Sequence, residues 1–132
     1  MENNIPREKI PSSILSKWGY SVLEEDGWTT VPNSLLMKQK ELNLNNSELL
    51  LLIQILSFIH HADTEAYPSI ATLSKRINQH PRTVQRTINS LEKKKILKKT
   101  IRSKSPKDVG KSNIYSVEPL IAKLQKMRQE TI

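Results

Sequence analysis

Side chains that can hydrogen-bond to the edges of DNA bases recur at helical spacing between residues 82 and 93. At 100° per residue one face groups Arg82, Gln85, Arg86, Asn89 and Lys93, with Thr83 beside them. Arginine can bind guanine through two hydrogen bonds, glutamine and asparagine can pair with adenine, and threonine can contact a phosphate or a thymine methyl group. The segment 81–94 is therefore predicted to be a recognition helix in the DNA major groove.

An ordinary solvated helix face is the alternative interpretation, because any surface helix carries charged side chains. Two observations favour a DNA-binding face over a solvated one. Glu92 is the only acidic residue on this helix, and the polar residues lie near its N-terminal end, where recognition helices contact bases.

The elements that position this face are also visible in the sequence. The opposite face of the helix carries the apolar residues Val84, Ile88 and Leu91, which we expect to face the core. A preceding helix is predicted to start at the N-cap Ser69 and to face inward through Ile70, Leu73 and Ile77.

The turn between the two predicted helices spans residues 78–80. Asn78 can adopt the left-handed conformation that ends a helix. Pro81 suits the first helical position, where its missing N–H costs nothing, so His80 takes the N-cap position, as a cap or a neighbour of phosphate rather than a catalyst. This helix-turn-helix spacing predicts that the second helix is held against the first.

The positive charge is concentrated in one block of the chain. The whole chain carries +8, but residues 75–111 alone carry 13 Lys and Arg against Glu92 and Asp108, which gives +11. Residues 1–74 carry −4 and residues 112–132 carry +1. A block of this kind is typical of a surface that faces nucleic-acid phosphates.

Downstream of the predicted recognition helix the pattern changes to that of a two-stranded wing over residues 98–113. Strand-like runs at 96–102 and 114–117 flank a basic, turn-rich loop. We expect the loop to follow the DNA backbone or to enter the minor groove; a flexible charged hairpin without a ligand is the alternative. The predicted DNA contacts as a whole are Ser69, Thr72, Arg82, Thr83, Gln85, Arg86, Asn89, Lys93, Arg102, Lys104, Lys107 and Lys111.

Three further helices are predicted around these elements. A short one covers 34–42, and a capping box of Asn45 and Glu48 opens a helix over 46–60. Apolar residues cover more than half the circumference of that helix between 49 and 59, which indicates a central helix or one shared with a partner subunit. An amphipathic C-terminal helix from about residue 119 either packs on the domain or joins a partner.

The first 26 residues are predicted to form an N-terminal arm, partly disordered, ahead of a domain over 27–132. A small hairpin is predicted from residues 20–23 and 28–31 around an Asp-Gly turn. Trp18 and Trp28 are expected to cover an edge of the core, with stacking on bases as the alternative.

Other function classes find little support in the sequence. There is no cysteine, no glycine-rich phosphate loop and no paired acid–base motif, so we predict neither an enzyme nor a cofactor. The run His60, His61, Asp63 has no third anchor of known spacing, so no metal site is predicted. Without a membrane-spanning run or a signal peptide, the chain is expected in the cytoplasm, at the nucleoid or a plasmid.

Several runs resemble the winged helix-turn-helix domains of plasmid and phage replication proteins and related bacterial regulators: GWTTVPNSLL, ELNLNNSELLLLIQIL, YPSIATLSKRINQHPRTVQRTINSLEKKKIL and SNIYSVEPL. The resemblance covers about residues 27–124 and is most specific at 67–97. It implies a mainly α, α+β fold, with a three-helix core, a two-stranded wing and a C-terminal helix. In that family the helix over 81–94 is the recognition helix.

The functional prediction is a sequence-specific double-stranded DNA-binding protein in replication, plasmid transfer or maintenance, or transcription regulation. A homodimer is expected, through the 49–59 helix, the N-terminal arm or the C-terminal helix. The alternative is an interaction module with non-specific DNA contact, which binds a partner protein in a replication, partition or conjugation complex.

Overall fold

Seven α-helices and one small antiparallel sheet make up the described part of the chain, which is residues 4–59, 64–101 and 113–131 of the computed structural model. The chain divides into two compact units, Met1–Thr30 and Val31–Ile132.

The first unit is helical, and contacts between its start and its second helix hold it together. A turn of 3-10 helix, Arg7–Lys9, precedes helices α1 (Ser12–Trp18) and α2 (Tyr20–Leu23). The Tyr20 hydroxyl donates to the Ile5 carbonyl at 3.0 Å, and the Arg7 guanidinium lies 4.5 Å from the centre of the Tyr20 ring. These contacts connect the start of the unit to α2.

The predicted hairpin in this unit is wrong, because residues 20–23 are helical. A run of four residues is too short for its periodicity to separate strand from helix. The N–H of Glu24 donates to the Tyr20 carbonyl and the N–H of Gly27 to the Leu23 carbonyl, at 2.9 and 3.1 Å. Gly27, with φ 75°, therefore follows a helical turn and does not turn a hairpin.

Trp18 does not cover the core as expected, since its side chain is 58% exposed. Helix α1, to which Trp18 belongs, has no buried residue. The Lys17 ammonium lies 5.8 Å from the centre of this ring. Trp28, in contrast, is half-buried.

The second unit combines five helices with three strands. The helices are α3 (Asn33–Met37), α4 (Asn46–Leu56), α5 (Ile70–Ile77), α6 (Pro81–Lys93) and α7 (Glu118–Thr131). The strands are β1 (Glu65–Ala66), β2 (Lys98–Thr100) and β3 (Ile114–Ser116), in the order β1-β3-β2 with both pairs antiparallel. The predicted mainly helical α+β class is confirmed.

Several element bounds differ from those predicted. Helix α3 ends at Met37 and α4 at Leu56, so both are shorter than expected, whereas α7 continues to Thr131. The sheet has three strands where two were predicted. Strand β1 is only two residues long and carries no alternating pattern of its own; its pairing with β3 creates it.

Helices α4, α5 and α6 pack against one another and build the core of this unit. Leu51, Leu52 and Ile55 of α4 are fully buried, and Leu49, Leu56, Phe58 and Ile59 pack against the same core. The wide apolar arc is thus used within the chain, as predicted for a central helix. The C-terminal helix also packs back, through Leu120, Leu124 and Met127.

A buried carboxylate joins the start of α4 to the end of α6. Glu48, whose side chain is only 2% exposed, completes the predicted capping box with Asn45, so that each residue's backbone N–H donates to the other's side chain at 2.8 Å. Its Oε1 also accepts from Lys94 Nζ at 2.7 Å, and its Oε2 accepts from Ser90 Oγ at 2.5 Å. The Lys94 ammonium donates further to the Asn43 carbonyl. The carboxylate therefore holds the helix that carries the basic face.

This cluster predicts an acid-sensitive contribution to stability. Burial alone would raise the pKa of Glu48, but the hydrogen bonds from Lys94, Ser90 and Asn45 outweigh it, so the pKa lies below its usual 4.5. Between the folded pKa and 4.5 the unfolded chain binds more protons at this carboxyl than the folded chain does. The stability from Glu48 is therefore present above pH 4.5 and is lost as the pH falls through the lower folded pKa.

Urea denaturation at about pH 5.5 and about pH 3.5 checks this expectation. The wild type should lose more unfolding free energy between the two values than Glu48→Gln, which has no carboxyl to titrate. Equal losses in the two proteins would show that Glu48 does not carry the acid dependence.

Candidate nucleic-acid interface

The turn between α5 and α6 has the geometry predicted from its residues. Ser69 Oγ accepts from the Thr72 N–H at 3.0 Å and caps α5. Asn78 ends that helix in the left-handed conformation, at φ 52° and ψ 49°. His80 Nδ1 accepts from the Arg82 N–H at 3.0 Å, and Pro81 occupies the first turn of α6. Two helices joined in this way hold α6 in one orientation against the core.

Helix α6 divides sharply into an apolar and a polar face. Val84, Ile88 and Leu91 are buried, as predicted. The polar face, which we call the α6 face, is exposed along its length; it comprises Arg82, Thr83, Gln85, Arg86, Asn89 and Lys93. The helix thus presents every predicted contact residue that it carries to solvent.

Ser69 and Thr72 lie at the start of α5, where both are partly buried. The Ser69 hydroxyl donates to Thr72 Oγ1 at 2.9 Å in addition to its capping contact. Both hydroxyls are thus engaged in the helix cap. Their clear role in the structure is to fix the start of α5, and a contact with DNA stays a prediction.

Lys99 of β2 is a site residue that the sequence-based selection missed. Its Nζ donates to Asn89 Oδ1 at 3.2 Å and lies 3.9 Å from Glu92 Oε1, both on α6. Its side chain is only 19% exposed, although it is a lysine. Side chains of a strand alternate between its two faces. In β2, Lys98 and Thr100 are exposed, whereas Lys99 faces inward and pairs with the buried Tyr115.

Tyr115, the β3 residue that pairs with Lys99, is buried. Burial raises the pKa of its hydroxyl, the hydrogen bond with Asn113 opposes that rise, and the negative charge of Glu92 adds to it. A buried, neutral tyrosine is therefore the cross-strand neighbour of Lys99.

Arg76, near the end of α5, was also missed. Its guanidinium lies 4.3 Å from the centre of the Phe58 ring, and its Nη1 donates to Ser57 Oγ at 3.1 Å. This exposed arginine therefore fastens α5 to the segment after α4. Only the spatial neighbourhood of Phe58 identifies this role, since 18 residues separate the two in sequence.

Strands β2 and β3 pair with Lys98 opposite Ser116 and Thr100 opposite Ile114. The four basic residues predicted for the intervening loop, Arg102, Lys104, Lys107 and Lys111, lie outside the described residues. The run containing His60, His61 and Asp63 does so as well.

Among residues 4–59, 64–101 and 113–131, no group of three or more His, Asp or Glu side chains is arranged to hold a metal ion. Over the same residues, none of the helices combines the length and the apolar character that crossing a bilayer requires.

The fold is similar to known structures. The N-terminal domain of the DnaD protein from Geobacillus kaustophilus HTA426 is 23% identical, with a TM-score of 0.57, and the match covers 93% of this chain and 100% of that chain. A possible transcriptional regulator from Methanosarcina mazei Go1 is 24% identical at a TM-score of 0.49, over 70% of this chain and 73% of that chain. A chain of a Rep-DNA complex is 16% identical at a TM-score of 0.47, over 92% of this chain and 95% of that chain.

Comparison with curated proteins gives no match. The family comparison is decisive, because the model of the DnaD N-terminal domain matches residues 31–131, which include all five helices and all three strands of the second unit. The chain belongs to the DnaD N-terminal domain family.

Proposed function

We propose that this chain is a sequence-specific binder of double-stranded DNA that acts in replication, with a winged helix-turn-helix as its reading unit. Helix α6 would lie in the major groove, and the β2–β3 hairpin would form the wing, with Arg102, Lys104, Lys107 and Lys111 on flanking phosphates or in the minor groove. Membership of the DnaD N-terminal domain family supports a replication-related DNA-binding or interaction domain.

The observation that carries the proposal is the charge of the α6 face. Arg82, Arg86 and Lys93 are exposed, and none of them forms a salt bridge within the described residues. The acidic residue on this helix, Glu92, pairs with Lys99 of β2 at 3.9 Å and not with a cation of the α6 face. A rigid helix that shows unpaired cations and amides together offers both phosphate attraction and base readout.

The proposal is tested by selecting bound duplexes from random DNA and titrating the selected duplex with salt. We expect a recovered consensus and an affinity that falls steeply, with a log–log slope of about −0.9 for each phosphate neutralised. Recovery of unrelated sequences, with a shallow salt dependence, would contradict sequence-specific binding.

The proposal includes a homodimer that reads two half-sites. Because the apolar faces of α4 and α7 are used within the chain, the N-terminal unit is the best of the three predicted dimer surfaces. Light scattering on the full chain and on residues 31–132 tests this surface. Loss of the dimer on truncation supports the N-terminal unit, and a dimer retained by residues 31–132 would contradict it.

An interaction module is the second candidate function, and α3 favours it. Leu36 and Met37 are both exposed, Met37 to 76%, and neither belongs to the α6 face. In this case Met37→Ser would abolish capture of a replication or transfer protein and leave DNA affinity unchanged. Either candidate function could operate in plasmid transfer or transcription regulation in place of replication.

A further inference from the structure

Helix α6 ends in a backbone motif that needs one residue in the left-handed conformation. The N–H of Lys95 donates to the Glu92 carbonyl and the N–H of Ile96 to the Leu91 carbonyl, both at 3.0 Å. These two hydrogen bonds define a Schellman motif, whose left-handed residue is Lys95, with φ 60°. Leu91 and Ile96 belong to the buried core, so the backbone of this motif is fixed.

The same motif occurs at two other places in the second unit, after α3 and at the end of α5, and both times its left-handed residue is asparagine. Asn43 has φ 59° and Asn78 has φ 52°. After each of them, the next N–H donates to the carbonyl five residues earlier, at 3.0 and 3.1 Å. Glycine and asparagine tolerate this conformation, whereas other side chains bring Cβ close to the following carbonyl. Lys95 therefore makes the end of α6 less stable than asparagine would.

The fold makes no visible use of the Lys95 ammonium. The side chain is exposed, and in the part of the chain that the structure describes it forms neither a hydrogen bond nor a salt bridge. The two acids near this end of α6 already have partners, since Glu48 pairs with Lys94 and Glu92 with Lys99. A cation that is unpaired and that occupies an unfavourable backbone position points to an anion outside the chain.

The alternative is that Lys95 interacts with the negative end of the helix dipole, which attracts cations. Lys93 and Lys94 already supply two positive charges at that end of α6. The two explanations differ in sign. A dipole contact makes lysine stabilising at this position, whereas an external anion leaves it destabilising in the free protein.

Lys95 lies where the chain passes from the α6 face to β2. Two residues of chain span at most about 7 Å, so Lys95 is close to Lys93 of the α6 face. We propose, resting on the proposed function, that Lys95 binds a phosphate of the DNA backbone beside the recognition helix. An ammonium is a point charge on a flexible stem, so this contact adds affinity without selecting a base.

The experiment measures stability and DNA affinity in the same full-length variants. Lys95→Asn installs the residue that the other two motifs carry, and Lys95→Arg keeps the positive charge. Lys126→Gln is the matched control, because it removes one exposed lysine of α7, outside the α6 face. Urea denaturation gives the unfolding midpoint of each protein. Salt titrations with the selected duplex and with random duplex give the affinities and the log–log slopes.

We expect Lys95→Asn to unfold at a higher urea concentration than the wild type and to bind DNA more weakly. The loss should be about five- to tenfold in about 0.1 M salt, equal for both duplexes, with a slope shallower by about 0.9, as for one phosphate contact. Lys95→Arg and Lys126→Gln should keep the wild-type slope.

A lower urea midpoint in Lys95→Asn would assign the lysine to the end of α6 itself and overturn the inference. An unchanged slope in Lys95→Asn, or an equal loss of affinity in Lys126→Gln, would overturn the phosphate contact. If the wild type selects no consensus but Lys95→Asn weakens random duplex as expected, sequence-specific binding fails and the phosphate contact stands. Absence of salt-dependent binding to any duplex would defeat both.

Discussion

Replacing Lys94 by methionine should destabilise the protein by about 3 kcal/mol, because it leaves the Glu48 carboxylate buried without a counter-charge. Lys94 Nζ lies 2.7 Å from Glu48 Oε1, and the carboxylate is almost completely shielded from water. The remaining hydrogen bonds, from Ser90 and the Asn45 N–H, cannot neutralise a full charge. Chemical denaturation measures the loss directly.

The matched control is Lys93→Met on the same helix. Lys93 is exposed and has no salt bridge among the described residues, so its loss should change stability by less than about 0.5 kcal/mol. The double variant Glu48→Gln, Lys94→Met should be more stable than Lys94→Met alone, since it buries no unpaired charge. If Lys93→Met and Lys94→Met lost equal stability, the buried pair would not hold α6 in place.

Replacing Arg86 by alanine should lower affinity for the selected duplex by tenfold or more, since a bidentate contact with a base contributes about 1–3 kcal/mol of discrimination. Affinity for random duplex should fall much less, because only a non-specific charge is removed. Arg86 is exposed on the α6 face, so the fold should be unaffected and the thermal midpoint unchanged. Titrating both duplexes at one salt concentration measures the specificity ratio.

Two other variants test whether the loss of specificity belongs to Arg86. Arg128→Ala removes an exposed arginine of α7, outside the α6 face, and should leave the specificity ratio intact. Lys107→Ala, in the predicted wing loop, should weaken both duplexes about equally, as expected for a phosphate contact. Base readout by α6 would be refuted by an Arg86→Ala variant that weakens specific and random DNA alike.

The sequence predicted most of the helix-turn-helix because each step there has a local cause. Ser69, Asn78, His80 and Pro81 act on the backbone within one or two residues, and Val84, Ile88 and Leu91 mark the buried face by helical spacing. Because these signals act within a few residues, they predict the local structure correctly without knowledge of the rest of the fold.

The features that were missed arise from contacts between distant parts of the chain. Strand β1 exists because residues 65–66 meet β3, and Lys99 matters because β2 passes beside Asn89. The hairpin predicted near residue 20 failed for the opposite reason: its run was too short for any pattern, and local hydrogen bonds decided in favour of a helix.

An amide NMR titration of the full chain with the selected duplex tests the central claim most directly, because it reports which helix meets DNA. We expect the largest shifts along the α6 face, at Arg82, Gln85, Arg86 and Asn89, together with smaller ones in β2. Shifts confined to α3, around Leu36 and Met37, with α6 unperturbed, would contradict the account.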